Sequence, residues 1–183
     1  MADAQARSPL AERATDLATI GAELVPFLAQ VDLRVDPAYA GLAPYPLPIE
    51  PNRAVDDGRR AALWLGPDEW LILGPPGAAA EIAGELEAAF AHVDRSVVDV
   101  SANRVAIELT SAGRLDLLAH VCPLDLDARI WATGRCAQTL LGRAQVVLQE
   151  RTETTGILVR PSFADYVVDL LLAVRGAAGD VGA

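Results

Sequence analysis

Side chains that could carry chemistry are spread thinly along this sequence. Asp68 and Glu69 are adjacent carboxylates, and paired carboxylates can act as general acid and base. Because consecutive residues at a strand edge point to opposite faces, this pair favours a role in forming and solvating a turn. His92 and His120 fall near the ends of predicted helices, and neither has a serine or cysteine directly beside it in sequence. The sequence therefore offers no recognisable pair of nucleophile and base.

The two cysteines, Cys122 and Cys136, allow two interpretations. They could form a disulfide, but two free thiols are favoured if the protein resides in a reducing compartment. A zinc site would need more ligands, at better spacing, than two cysteines and two histidines supply. Cys122 falls on the apolar face of a predicted helix, so we expect it in the core.

A glycine- and proline-rich segment, Gly74–Ala78, lies between a predicted strand and a predicted helix, where a phosphate could meet free amides. It lacks the Gly-x-Gly-x-x-Gly spacing, and Pro75 and Pro76 remove two amide donors. We therefore interpret it as a turn. The sequence also lacks a Walker motif and a Gly-x-Ser-x-Gly elbow.

Three tryptophans are the candidate contacts for a partner protein. Trp64 and Trp70 flank a Gly-Pro-Asp-Glu bend, and Trp131 lies in a loop-like stretch that favours exposure. Tryptophan is enriched in interface hot spots. It fills protein cores more often, so a structural role stays the alternative for all three.

Composition excludes several classes of protein. The chain has 183 residues, 52% of them hydrophobic, and a net charge of −10, and its 15 basic residues are all arginine. These arginines are scattered, whereas nucleic-acid binding needs a basic footprint and anionic membranes need basic clusters. No apolar run reaches the roughly 18 residues of a membrane span. The segment Met1–Arg7 lacks the apolar core of a secretory signal, so we expect a cytoplasmic protein with no nucleic-acid or membrane partner.

Hydrophobic periodicity defines the first half of the chain. Alternating apolar residues predict a strand over 29–35, and Asp36-Pro37 then opens a short helical turn. The stretch 63–73 predicts a hairpin. An apolar stripe predicts a helix over 78–92, followed by a strand over 96–100. This order of strand, helix, strand, strand, helix and strand is the ferredoxin-like pattern.

A similar pattern recurs in the second half. We predict a strand over 104–110, a helix over 111–121, a hairpin from 138–141 and 145–149, and a strand over 156–160. The closing helix carries the clearest apolar stripe of the chain, formed by Phe163, Tyr166, Val167, Leu170, Leu171 and Val174.

The predicted fold class is therefore α+β: two ferredoxin-like halves, each an antiparallel sheet backed by helices. We divide the chain into an N-terminal arm (1–28), a first half (29–101), a second half (102–175) and a flexible tail (176–183). Within the first segment, residues 10–20 could form either a short helix or part of the arm.

Several segments, taken in order, resemble the gamma subunit family of heterotetrameric sarcosine oxidase. The resemblance runs from about Glu23 to Leu172 and is carried by these stretches: Pro26–Arg34, Pro51–Asn52, Leu63–Leu73, Val98–Ser101 with Arg104–Val105, Cys122–Leu126, Gly134–Thr139 and Arg160–Tyr166. Two apolar exchanges depart from the family pattern, at 167–171 and at Trp131.

The resemblance implies a subunit without catalytic, cofactor-binding or metal-binding residues of its own, with a fold like that of folate-binding aminomethyltransferase domains. The family reaction is oxidative demethylation of sarcosine to glycine, with hydrogen peroxide and 5,10-methylenetetrahydrofolate as further products. The implied partners are the alpha, beta and delta subunits. FAD, FMN, NAD and tetrahydrofolate are then expected in those partners rather than in this chain.

A second hypothesis follows from the fold kinship alone. The chain could be an independent folate-binding protein that handles one-carbon units, and tetrahydrofolate would then bind the isolated polypeptide.

Overall fold

The computed structural model of the protein describes residues 7–180. Within them the chain forms four helices and ten strands. The helices are α1 (Ala14–Ile20), α2 (Ala79–Ala89), α3 (Arg114–Ala119) and α4 (Ala164–Asp180). The strands are β1 (Ala22–Val25), β2 (Ala29–Val35), β3 (Ala54–Asp56), β4 (Ala61–Gly66), β5 (Glu69–Gly74), β6 (Arg95–Asp99), β7 (Val105–Leu109), β8 (Cys136–Leu141), β9 (Ala144–Glu150) and β10 (Thr155–Val159). Short 3-10 turns span Pro37–Leu42 and Pro161–Phe163.

The first sheet is antiparallel, with the strand order β3-β4-β5-β2-β6. The strand and hairpin predicted at its centre are confirmed, and Trp64 lies opposite Trp70 across the hairpin. The 3-10 turn after β2 begins as expected, because the Asp36 carboxylate accepts a hydrogen bond from the Ala38 amide at 2.8 Å. Helix α2 then covers one face of the sheet.

The second sheet, also antiparallel, has the order β1-β7-β10-β9-β8. Like the first sheet, it is backed by helices on one face, so the predicted fold class is confirmed. Read from β8, its order β8-β9-β10-β7-β1 corresponds to β3-β4-β5-β2-β6 in the first sheet. In both sheets a helix follows the third strand of the meander, α2 after β5 and α4 after β10. The halves differ in the edge strand, because β6 follows its helix whereas β1 comes from the start of the chain.

Residues 14–25 of the predicted N-terminal arm are integrated in the second half, and the short helix allowed over 10–20 is present as α1. Helix α1 packs its Leu17 and Ile20 into the core, and β1 pairs with β7 of the second sheet, with Ala22 opposite Leu109. The second half thus takes its edge strand from the start of the chain. Residues 1–6 lie outside the described residues.

The predicted tail is likewise shorter than expected, because α4 continues through Asp180. Residues 176–180 of the predicted tail are helical. Residues 181–183 lie outside the described part of the chain.

The molecule is built in four layers: helices α1, α3 and α4, then the second sheet, then the first sheet, then α2. The two sheets face each other, so strands such as β4 and β9 are buried on both faces and alternate between two cores. The layer between the sheets is formed by Ala61, Leu63, Leu65, Leu71, Leu73, Ala106, Cys136, Val147 and Leu158. We call this layer the inter-sheet core.

Main-chain hydrogen bonds join the two sheets at one edge. Arg53 and Arg135 form an antiparallel bridge. The Ala54 amide donates to the Gly134 carbonyl at 2.9 Å, and the Cys136 amide donates to the Asn52 carbonyl at 3.1 Å. This corner fixes how the two sheets align.

Loss of apolar volume from the inter-sheet core is expected to destabilise the whole protein. Leu71 is fully buried, so Leu71→Ala should lower the free energy of unfolding by about 3 kcal/mol. Leu42→Ala is the control, because Leu42 is 53% exposed and its truncation should cost about 0.5 kcal/mol or less. Urea unfolding followed by circular dichroism measures both, and equal costs would contradict the assignment of this core.

Candidate functional site

Two of the three candidate interface tryptophans are interior side chains. Trp70 is fully buried, and its indole nitrogen donates to the Pro48 carbonyl at 2.7 Å. This contact holds the proline-rich connection against the first sheet. Trp131 is only 6% exposed, so the exposure expected from its loop is wrong. In this conformation neither indole is accessible to a partner.

Trp64 is the exception, because it is half-buried and packs at the margin of the core under α2. It lies beside Trp70 across the hairpin, so the buried ring supports the partly exposed one. Of the three tryptophans, Trp64 alone presents surface.

A buried charged network explains why Trp131 turns inward. The carboxylate of Glu150 is 3% exposed and accepts hydrogen bonds from Arg114 at 2.5 Å, the Trp131 indole at 3.1 Å and Thr155 at 2.5 Å. Three donors satisfy a charge that would be costly to bury alone. The network ties α3 and the 131 loop to the second sheet, which is a structural task.

A second polar cluster closes one end of the inter-sheet layer. Arg151 donates to both oxygens of Glu108 at 2.8 Å and to Asp56 at 3.0 Å, and it also contacts Gln149. The buried amide of Gln149 donates to the same Asp56 carboxylate at 3.1 Å. The cluster therefore links β3 of the first sheet to β7 and β9 of the second.

The adjacent acids at the hairpin bend belong to a surface ion-pair group. Arg34 donates to Glu69 at 2.6 Å and lies 3.9 Å from Asp68. Partial burial, together with the neighbouring carboxylate of Asp32, raises the pKa of Glu69 in spite of the arginine. This arrangement has no nucleophile beside it.

The two histidines and two cysteines do not form a catalytic arrangement with one another. His92 and His120 are exposed, and the His120 ring nitrogen Nδ1 lies 2.7 Å from the Asp116 carbonyl of its own helix. Cys122 and Cys136 are free and buried, on opposite faces of the second sheet. A disulfide between them is therefore excluded, and two free thiols are found as predicted.

Neither a metal cluster nor a membrane helix is found in the part of the chain that the structure describes. Among residues 7–180, no three His, Cys, Asp or Glu side chains are grouped so that they could hold a metal ion. No helix in the same range combines the length and the apolar character needed to cross a membrane.

The segment Gly74–Ala78 is a turn, and steric constraints explain why its two glycines are needed. Gly77 has φ +82°, a conformation that favours glycine. A Cβ atom at Gly74 would lie 2.6 Å from the Ile82 side chain. The tight approach brings α2 onto the sheet, in agreement with the turn interpretation.

Two hollows meet at one end of the molecule. A mostly apolar cavity of about 330 Å³ is lined by residues that include Val25, Phe27, Val105 and Pro161. A second cavity, of about 360 Å³, is lined by residues that include Arg160 and polar side chains of β8 and β9. Arg104 lines both cavities. Sequence reasoning did not find this place, because it depends on which strands lie side by side.

Comparison with known proteins identifies relatives along most of the chain. Residues 33–177 match the model of the family described as Sarcosine oxidase, gamma subunit family. The sarcosine oxidase subunit gamma of an Arthrobacter species is 33% identical over 180 residues, which cover 91% of this chain and 88% of that protein.

Solved structures show the same relationship. A chain of the heterotetrameric sarcosine oxidase of Corynebacterium sp. U-96, determined in complex with pyrrole 2-carboxylate, superimposes with a TM-score of 0.85 at 28% identity. The match covers 94% of this chain and 95% of that one. The glycine cleavage system aminomethyltransferase T of Bartonella henselae matches with a TM-score of 0.61 at 12% identity, over 87% of this chain and 48% of that one. This last likeness concerns the fold alone.

Removal of the arginine from the buried network should destabilise the protein strongly. Arg114→Met leaves the Glu150 carboxylate buried without its cation, at an expected cost of about 3 kcal/mol in the free energy of unfolding. Arg129→Met provides the matched control, because Arg129 is 87% exposed in its pair with Asp127 and its removal should leave the free energy of unfolding nearly unchanged. Chemical denaturation of both variants tests this, and a mild effect of Arg114→Met would show that the network is dispensable.

The thiol of Cys136 is expected to be inert in the native protein. Burial raises the pKa of Cys136 to about 12 from an ordinary value of 9.0, so its reactive thiolate form is scarce near neutral pH. In a Cys122→Ser background, Ellman's reagent should react with Cys136 no faster than the protein unfolds, and fully in denaturant. The Cys136→Ser protein reports on Cys122 in the same way. Rapid labelling of native Cys136 would contradict its place between the sheets.

Proposed function

The chain belongs to the sarcosine oxidase gamma subunit family, and from this membership we propose that it is the gamma subunit of a heterotetrameric sarcosine oxidase. Its partners in the proposal are the alpha, beta and delta subunits. The complex would oxidatively demethylate sarcosine to glycine, with hydrogen peroxide and 5,10-methylenetetrahydrofolate as the other products.

One observation carries the proposal: the likeness to the Corynebacterium chain extends over nearly the full length of both chains, at a TM-score of 0.85. A chain that shares the whole fold of an oxidase subunit is expected to share its place in an assembly. The Arthrobacter relative supports the same proposal, because it also matches along most of both chains and is a sarcosine oxidase subunit gamma.

The proposal gives this chain a structural task in the complex. Its charged side chains with good hydrogen-bond geometry, such as Glu150 and Arg151, are used in linking strands and sheets. From the family relationship, we assign FAD, FMN, NAD and tetrahydrofolate to the other subunits. A cytoplasmic location is part of the same proposal.

Among the tryptophans, we propose Trp64 as the contact with a partner. It is half-buried, so part of its indole is accessible, and tryptophan is enriched among the hot-spot residues of protein interfaces. Trp70 and Trp131 would contribute indirectly, by fixing the hairpin and the 131 loop from inside.

The alternative is an independent folate-binding protein of one-carbon metabolism. The likeness to an aminomethyltransferase supports it through fold alone, and this chain spans about half of that protein. It remains as an outcome of the experiment below.

Co-expression with the alpha, beta and delta chains of the same organism tests the proposal. The chain should elute with them in size-exclusion chromatography, as one species that oxidises sarcosine, because the subunits form one assembly. The isolated chain should show no turnover. Separate elution from the other subunits would contradict the proposal. Saturable binding of tetrahydrofolate to the isolated chain, measured by calorimetry, would instead support the alternative.

A further inference from the structure

Two arginines face each other across neighbouring strands at the end of the second sheet. In the ladder between β7 and β10, Val105 pairs with Val159. Extending this antiparallel register by one residue places Arg104 opposite Arg160, and the two charges are close enough to interact. Like charges directly opposite each other in a sheet are destabilising, so this pair of arginines lowers the stability of the isolated chain.

Both side chains belong to the face of the sheet that looks toward the first sheet. Arg104 is two residues before Ala106, and Arg160 is two residues after Leu158, and both of these apolar residues lie in the inter-sheet core. The two arginines therefore continue the row of residues that forms the inter-sheet core. Both arginines line the cavity of about 360 Å³.

Neither arginine is neutralised within the described residues. Ten of the 15 arginines form an ion pair of 4.0 Å or less, and Arg104 and Arg160 are not among them. Asp32 and Glu69, on the facing sheet, attract Arg104 from a greater distance, and Arg34 pairs with Glu69. Burial, and then the charge of Arg160, lower the pKa of Arg104. An anion placed between the two guanidinium groups would relieve both costs.

An apolar hollow adjoins the cationic pair. Arg104 also lines the cavity of about 330 Å³, together with Phe27 and Pro161. Phe27 is 53% exposed and has φ +53°, an uncommon backbone conformation for a residue with a side chain. An exposed aromatic ring, an apolar hollow and unpaired arginines are the features that protein interfaces concentrate.

We propose that Arg104 and Arg160 bind an aspartate or glutamate side chain of a partner subunit, while a neighbouring apolar side chain of that partner occupies the hollow beside Phe27. The inference rests on the proposed function, because it assigns the surface used in that assembly. A protein segment fits this place better than a free anion, since Arg104 lines the charged cavity and the apolar one together.

The arrangement predicts opposite effects on the isolated chain and on the complex. Arg160→Gln removes a like-charge contact, so the melting temperature of the isolated chain should stay equal or rise. In the complex with the alpha, beta and delta chains, the same change should weaken binding at least tenfold and reduce the dependence of binding on salt. Arg104→Gln should weaken the complex in the same way from the other strand. Arg175→Gln, which removes one exposed arginine of α4, is the charge-matched control and should leave binding unchanged.

Surface-bound wild-type and variant chains, titrated with the purified partner subunits at low and moderate salt, decide the question. A wild-type complex that both variants form equally well would overturn the inference and leave the proposed function standing. Failure of the wild-type chain to bind would count against both the inference and the proposed function.

A melting experiment with succinate tests whether the two arginines instead bind a free dicarboxylate. A saturable rise in the melting temperature of the isolated chain at succinate concentrations below about 1 mM, lost in Arg160→Gln, would overturn partner docking. A sharp loss of stability in isolated Arg160→Gln and Arg104→Gln would show that the pair is structural, and would also overturn it.

Discussion

The burial of two sheets against each other is the constraint on which this structure depends. Each sheet is covered by helices on one face, so its other face must find an apolar partner, and each supplies that partner to the other. The backbone corner at Arg53 and Arg135 sets the alignment of the two faces. Because the inter-sheet core draws on both halves of the chain, neither half is expected to be stable without the other.

The face of the second sheet that packs on the first sheet is apolar in its middle and charged at both ends. Its middle is apolar, with Ala106 and Leu158 in the inter-sheet core. At one end the polar cluster around Arg151 is fully paired and joins the sheets. At the other end the row begins with Arg104 and Arg160, and no carboxylate of the described residues lies within ion-pairing distance. The paired end stabilises the fold. The unpaired arginines at the other end are the proposed binding place for a carboxylate of a partner.

The side chains that first suggest chemistry are largely used by the fold. Trp70 anchors the proline-rich connection, Glu150 organises the 131 loop, and Cys136 donates to the Arg53 carbonyl at the corner of the sheets. These side chains therefore serve to hold segments that are distant in sequence in place.

The sequence by itself determined most of the local elements, the fold class and the family. Alternating and helical periodicities placed β2, the β4–β5 hairpin and α2 within a few residues, because such patterns reflect which face of an element is buried. Only the tertiary structure decided that β1 joins the second sheet and that Trp131 is buried, since their partners, β7 and Glu150, are distant in sequence. The same holds for the pairing of Arg104 with Arg160. The hydrophobic pattern of a strand shows which of its faces is buried. Which distant strand becomes its neighbour is decided by packing between segments, and the pattern of one strand does not show it.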